Sequence, residues 1–380
     1  MSCSGAMQPL SYLDWNATAP LRPEAAAAMI AALADCGNPS SVHRWGRAAR
    51  AKVEQARAAI AGLLAAAPEA VVFTSGGTEA NHLALLGCGR ERVLVSAVEH
   101  DSVLRAAPHA EQIPVDGDGV VSLDALDAML AADPRPAVVS VMFANNETGV
   151  LQPAAAVAAI AHAHGALFHC DAVQAAGKLA LDIAAIGADL VSLSAHKIGG
   201  PAGIGTLVAT DAAGLAPLQR GGGQEHGYRA GTENLAGIAG FAAAAEIATA
   251  EIAVYDRMRG LRDRLEAAIA EAAPDAVVVG ARALRLPNTA AIAMPGTPAE
   301  TQVIALDLDG VMVSAGAACS SGKVGPSHVL AAMRAPAEVA SSTIRISLGW
   351  SSTGAEIEHF LHAWTQLYRR RRLAEQRRAA

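Results

Sequence analysis

The stretch Leu190-Val191-Ser192-Leu193-Ser194-Ala195-His196-Lys197 decides the fold. Its first five residues are apolar or small, which reads as a buried strand, and Gly199-Gly200 just beyond reads as a turn. The strand therefore delivers a lysine to its carboxyl end. Burial disfavours an ammonium and lowers its pKa, which makes such a lysine a nucleophilic amine. Upstream, residues 166–170 read as a second strand that ends in Asp171, with Gln174 three residues on. A carboxylate at one strand end and a lysine at the next is the pair that a pyridoxal-phosphate site needs. The aldehyde forms a Schiff base on the lysine, and the carboxylate keeps the pyridine nitrogen protonated so that the ring accepts electrons.

The same alternation continues outward from this pair. Strands are expected at 71–74, 93–96, 138–142, 167–170, 190–194 and 206–209, and helices at 48–64, 79–86, 122–130 and 153–164. Alternation of this kind predicts the α/β class, a mostly parallel central sheet covered by helices. In such sheets ligands sit beyond the carboxyl ends of the strands. Beyond Thr232 the pattern changes: one long helical stretch, 235–270, leads to short strands at 276–279, 289–293, 311–313 and 344–347. This predicts a large domain of residues 13–245, and a smaller α+β domain of residues 1–12 and 246–380.

Composition narrows the function classes. The chain has 380 residues, 52% of them hydrophobic and 17% charged, which fits a packed globule with a large core. A net charge of -7 argues against a general nucleic-acid binder. The arginines at 369–372 and 377–378 read as the solvated face of a terminal helix or as a partner-docking surface. No apolar run approaches the ~20 residues of a membrane span, and no signal-peptide pattern opens the chain. Five widely spaced cysteines without a CxxC fit free thiols, so the expected location is the cytoplasm.

Other stretches carry candidate chemistry, each beside a plainer reading. Thr74-Ser75-Gly76-Gly77-Thr78-Glu79 ends a strand and opens a helix, which suits a phosphate or an ordinary helix cap. His100 follows a strand end, where it can lie over a cofactor ring or cap a helix. Asn145-Asn146-Glu147-Thr148-Gly149 is a turn or an amide donor to cofactor or substrate, with Asn146 the candidate. Gly221–Gly223 through Thr232 is either a connector or a segment that closes a site across a dimer interface. Cys319, among small residues and glycines, reads as a nucleophile on a delivering loop, whereas Cys88 and Cys170 read as structural. Arg345, in an expected strand, suits a substrate carboxylate or an internal salt bridge. His162 and His164 lack a ligand cluster, so no metal site is expected.

These motifs, in this order, resemble the cysteine desulfurases of the NifS/IscS type, within the class V aminotransferase family. The likeness runs from Tyr12-Leu13-Asp14 and Gly37-Asn38-Pro39-Ser40-Ser41 through the blocks already quoted to residues 341–349. It implies an aspartate aminotransferase-like fold and a pyridoxal 5'-phosphate cofactor bonded to Lys197. Asp171 is implied to pair with the pyridine nitrogen, Gln174 with the ring hydroxyl, and His100 to stack on the ring. Gly77, Thr78, Ser194 and His196 are implied to hold the phosphate, with Thr232 reaching in from the second subunit of a homodimer. Asn146 and Arg345 are implied to fix the carboxylate of L-cysteine. Cys319 is implied to take its sulfur as a persulfide, leaving alanine, and to pass it to an acceptor such as an iron–sulfur scaffold or a tRNA-thiolation protein. Tyr228 and the terminal arginines depart from the family pattern. The competing readings are a transaminase, which has no use for Cys319, a selenocysteine lyase, and a non-catalytic scaffold subunit.

Overall fold

The strands between residues 71 and 209 build one seven-stranded sheet. The structure, a computed structural model, describes residues 10–316 and 327–379. Its contacts divide the chain into a unit of Thr18–Asn146 and Val150–Ala253 and a unit of Met1–Ala17, Glu147–Gly149 and Val254–Ala380. With strands numbered along the chain, β1 (Ser11–Tyr12) belongs to the latter. The sheet of the former contains β2 (Val71–Thr74), β3 (Arg92–Ser96), β4 (Glu111–Ile113), β5 (Ala137–Ser140), β6 (Leu167–Asp171), β7 (Leu190–Ser194) and β8 (Gly205–Ala209). Its order is β2-β8-β7-β6-β5-β3-β4.

Neighbours run parallel except at β8, which is antiparallel to both β7 and β2. The cause is local. Between β7 and β8 the chain makes a single 3₁₀ turn, Ala195–Lys197, and then a glycine-rich reversal closed by the Ala195 N–H on the Ile204 carbonyl at 3.2 Å. A link this short cannot make a crossover, so the next strand must come back antiparallel. That reversal carries His196 and Lys197.

The helices of this unit are α1 (Pro23–Leu33), α2 (Arg44–Gly62), α3 (Gly77–Gly87), α4 (Asp101–Leu104), α5 (Leu123–Ala132), α6 (Ala154–Ala163), α7 (Ile183–Ile186) and α8 (Leu235–Ala250). Several begin as their sequences dictate. Ser122 Oγ accepts from the Ala125 N–H, Asp182 Oδ1 from those of Ala184 and Ala185, and Asn234 Oδ1 from that of Gly237. Val72, Leu83, Val95, Val138, Leu190 and Leu207 are buried in one core cluster.

In the other unit, β1 pairs in parallel with β11 (Val311–Met312). An antiparallel sheet has the order β12 (Ser314–Ala315), β13 (Thr343–Ser347), β10 (Thr289–Ala293), β9 (Val277–Val278). Helices α9 (Val254–Ala272), α10 (Ala299–Leu308), α11 (His328–Ala332), α12 (Ala337–Ser342) and α13 (Gly354–Ala379) complete it. Met258, Leu265, Ile292, Leu306, Phe360 and Trp364 share its core. Gly349 is required where it stands, because a Cβ there would overlap the Trp15 ring.

The α/β class and the mostly parallel sheet are as expected. One expectation fails: residues 235–270 are not a single helix, because α8 ends at Ala250 and α9 begins at Val254. The alanine-rich composition hid the break, since high helix propensity continues through it. The short strands β4 and β12 also escaped, being three and two residues long.

Candidate active site

Asp171 closes β6, and register sets it opposite Ser192 of β7, the strand that leads to Lys197. Its carboxylate is buried and held at both oxygens. Oδ1 accepts the Val173 N–H at 3.0 Å, and Oδ2 accepts from Asn81 Nδ2 at 2.8 Å. The charge environment around it is arranged by burial. Burial and then the Asp171 charge push the Glu99 carboxyl well above its usual range, although the Met142 N–H donates to Glu99 Oε1 at 2.6 Å. His169, on the same strand, lies between Ser140 Oγ and Ser192 Oγ, each 2.9 Å away, and burial lowers its pKa to about 4. Cys170 is also buried, which raises its thiol pKa well above the ordinary value.

The start of α3 lies against this strand end. A Cβ at Gly77 would come within 3.0 Å of Val173 Cγ2 and 3.6 Å of Ser194 Cβ. Gly76, with φ +155°, makes the entry turn, and among the described residues no side chain caps the helix there. Uncapped N–H groups at a helix start form an anion cradle. Gly77, Thr78 and Ser194 border it. His196 sits on the 3₁₀ turn, 3.2 Å from Thr18 Oγ1, and burial and then the Lys197 charge lower its pKa to about 4. Lys197 ends the same turn and is half-buried, more open than its strand predicts. A carboxylate, an amine and an anion cradle at adjoining strand ends fit pyridoxal phosphate.

His100 is found in the plainer of its two expected settings, as a helix cap. Its Nδ1 caps α4 by accepting the Ser102 N–H at 3.1 Å, and it lies beyond the end of β3, the side on which the carboxyl ends of β6 and β7 fall. Gln174 is buried, and Lys178 Nζ donates to its Oε1 at 2.8 Å. Asn146 is half-buried in the turn after β5, where the Asn145 N–H reaches the Val150 carbonyl. Thr232 is exposed.

The glycine-rich segment is pinned rather than loose. Glu225, at φ +46°, is bonded through both oxygens to Arg57, and its Oε2 also accepts the Phe73 N–H at 2.8 Å. Arg229 Nε donates to Glu79 Oε1 at 2.9 Å. Burial opposes ionisation of Glu79, but Arg229 and the Ser75 N–H hold its pKa below the usual value.

In the other unit, Arg345 lies buried on β13 with one terminal nitrogen 2.6 Å from Asp14 Oδ1. The salt-bridge reading of this arginine is therefore realised, whatever else it does. Glu147 Oε2 accepts from Ser327 Oγ at 2.6 Å, and a Cβ on Gly316 would lie 2.7 Å from the same atom. Cys319 lies outside the described residues. Asn81, Glu99, Lys178 and the Arg57–Glu225 pair were not singled out in the sequence. Spacing offered a signal for two of them: Asn81 and Lys178 follow Gly77 and Gln174 by four residues. His162 pairs with Asp189 and His164 with Asp127. No group of three metal-binding side chains occurs among the described residues, and no single helix there is long and apolar enough to cross a membrane.

A protein named cysteine desulfurase from Cereibacter sphaeroides is 45% identical over 365 residues, covering 92% of this chain and 93% of its own. The X-ray structure of a NifS-like protein from Rickettsia africae superposes with a TM-score of 0.88 at 36% identity, over 95% of this chain and 99% of that one. The structure of SspA in complex with cysteine gives a TM-score of 0.77 at 29% identity, over 89% and 98%. The family model for Aminotransferase class-V matches residues 11–360. The chain belongs to the class V aminotransferase family, whose members use pyridoxal phosphate.

Proposed function

We propose that this chain is a pyridoxal-phosphate-dependent cysteine desulfurase, which takes sulfur from L-cysteine, releases L-alanine and keeps the sulfur as a persulfide on Cys319. The observation that carries the reading is the meeting of Asp171, the β7–Lys197 turn and the uncapped start of α3 at adjoining strand ends. The likeness to named cysteine desulfurases selects desulfuration among the family's reactions. When bound, the cofactor supplies an electron sink next to the substrate's Cα.

The chain's own residues do the rest. Lys197 would hold the cofactor and carry the proton of the substrate Cα, Asp171 would pair with the ring nitrogen, Gln174 with the ring hydroxyl, and His100 would lie against the ring. Gly77, Thr78, Ser194 and His196 would hold the phosphate, with Thr232 of a second copy in a homodimer. Asn146 and Arg345 orient the substrate carboxylate. The Cys319 thiolate attacks the substrate sulfur. The sulfur–sulfur bond forms as the Cβ–S bond breaks, and the bonding pair stays with the carbon skeleton, which takes up a proton to become alanine. Cofactor binding is assigned to the large domain, 13–245, and the sulfur relay to residues 246–380 with 1–12. An acceptor protein, such as an iron–sulfur scaffold in the cytoplasm, then removes the persulfide sulfur.

The test gives the loaded protein L-cysteine and quantifies alanine and persulfide, with Cys319→Ala alongside. Alanine from the wild type and none from the variant is the expected result. Equal turnover by both, or pyruvate in place of alanine, overturns the reading.

A further inference from the structure

We propose that Asn81 and Ser102 are positioning residues that hold His100 as the neutral tautomer with its proton on Nε2. Three hydrogen bonds carry the argument. Asn81 Nδ2 lies 2.8 Å from Asp171 Oδ2 and 2.8 Å from Ser102 Oγ, and Ser102 Oγ lies 2.8 Å from His100 Nδ1. Their directions follow from chemistry. A carboxylate accepts, so the amide atom facing Asp171 is the nitrogen, and a flipped amide would set oxygen against oxygen. The Ser102 backbone N–H donates to His100 Nδ1 at 3.1 Å, and an N–H cannot accept. Nδ1 therefore carries no hydrogen. The Ser102 hydroxyl must donate to it too, which leaves the Ser102 oxygen to accept the second amide hydrogen of Asn81.

Both amide hydrogens of Asn81 are thus used, while its Oδ1 is buried without a hydrogen-bond partner. Asn81, Ser102 and Asp171 are all more than nine-tenths buried, so water does not compete for these contacts. An apolar residue of the same shape would avoid the orphaned oxygen; the amide's use lies in its two donors.

The consequence rests on the desulfurase reading. A ring held this way offers an Nε2–H as a hydrogen-bond donor to the cofactor or substrate. It is not available as a base at Nε2, and Nδ1 is occupied by two donors. Positioning of His100 is tied through Asn81 to Asp171, the group that faces the cofactor's nitrogen.

The test reads the tautomer directly in the cofactor-free protein. Long-range proton–nitrogen spectra of protein labelled with ¹⁵N-histidine are recorded at neutral pH, and His100 is identified by the signals lost in His100→Gln. The expected pattern is a bare Nδ1 and a protonated Nε2. Ser102→Ala keeps the backbone N–H on Nδ1 but loses the hydroxyl donor, and Asn81→Leu loses the amide that turns that hydroxyl toward Nδ1. Each should let a minor Nδ1-protonated population appear. Ser102→Thr, which keeps the hydroxyl, should retain the wild-type pattern. In the loaded enzyme, Ser102→Ala should lower kcat/KM for L-cysteine about 10-fold, the size expected of a residue that orients another. A protonated Nδ1 in the wild type, or an unchanged pattern in both Ser102→Ala and Asn81→Leu, overturns the proposal. Failure to bind cofactor or to form alanine would overturn the functional reading instead and leave the tautomer result standing.

Discussion

Arg57 and Arg345 are both buried and both face a carboxylate, but they are held in different ways. On α2, Arg57 places its two terminal nitrogens on the two oxygens of Glu225, at 2.9 and 3.0 Å. It also donates to the Val71 carbonyl and lies over the Phe73 ring, 5.1 Å from its centroid. Both side chains of this pair are at most 3% exposed. On β13, Arg345 reaches Asp14 through one terminal nitrogen, and the Asp14 side chain is 21% exposed. A fork saturated by a buried partner is a structural clamp, because nothing else can replace that partner. A fork whose carboxylate partner is partly exposed to water can exchange that partner for another carboxylate at lower cost. The two arginines are equally buried, and what differs is the exposure of the partner carboxylate.

The largest effect should come from breaking the clamp. Arg57→Ala leaves Glu225 buried without its counter-charge, which is expected to lower unfolding stability by about 3–5 kcal/mol. The enzyme that remains folded should bind L-cysteine with a near-normal KM. Chemical denaturation paired with kinetics at low temperature checks this. A loss below about 1 kcal/mol would mean that Glu225 finds water, and the contrast with Arg345 would disappear.

A group that buries no charge sharpens the comparison from another side. His169 is fully buried between two serines, with a pKa of about 4 in the folded chain against an ordinary 6.5. A depressed pKa favours the neutral form, so this contribution to stability is present above pH 6.5. Between pH 6.5 and 4 the unfolded chain binds a proton that the folded one does not, and stability falls as the pH falls. About 3 kcal/mol is at stake over that window. His169→Gln should flatten this part of the stability profile. If the variant loses stability on acidification as steeply as the wild type, the acid sensitivity lies in the ion pairs and not in this imidazole.

How much of this was legible in the sequence follows from distance along the chain. The strand 190–194 and the lysine behind it could be read because every residue that defines them is local. Asp171 and the turn at Gly76-Gly77 could be read for the same reason. The resemblance supplied the roles, and the fold supplied the neighbours. What supports these residues was hidden. Asn81 meets Asp171 across 90 positions, and Arg57 meets Glu225 across 168. An arginine in an amphipathic helix gives no sign that its fork is buried. The break after Ala250 was hidden too, since its residues are ordinary helix formers.

The smallest effect, and the finest test of the contrast, lies at Asp14. If Arg345 exchanges partners, Arg345→Ala should lower kcat/KM for L-cysteine by the worth of a charged hydrogen bond, about 1.5–3 kcal/mol or roughly 10- to 150-fold. Asp14→Asn should do much less. It removes a competitor for the substrate carboxylate, so KM should stay level or fall by up to about 5-fold, with stability changed by no more than about 1 kcal/mol. The double variant should behave like Arg345→Ala alone, because Asp14 has no effect without the arginine it restrains. If Asp14→Asn instead weakened the apparent affinity for L-cysteine by about 10-fold or more, the size of a lost charged hydrogen bond, the reverse would hold. Asp14 would then be the post that aims the guanidinium, and Arg345 would be as tightly clamped as Arg57.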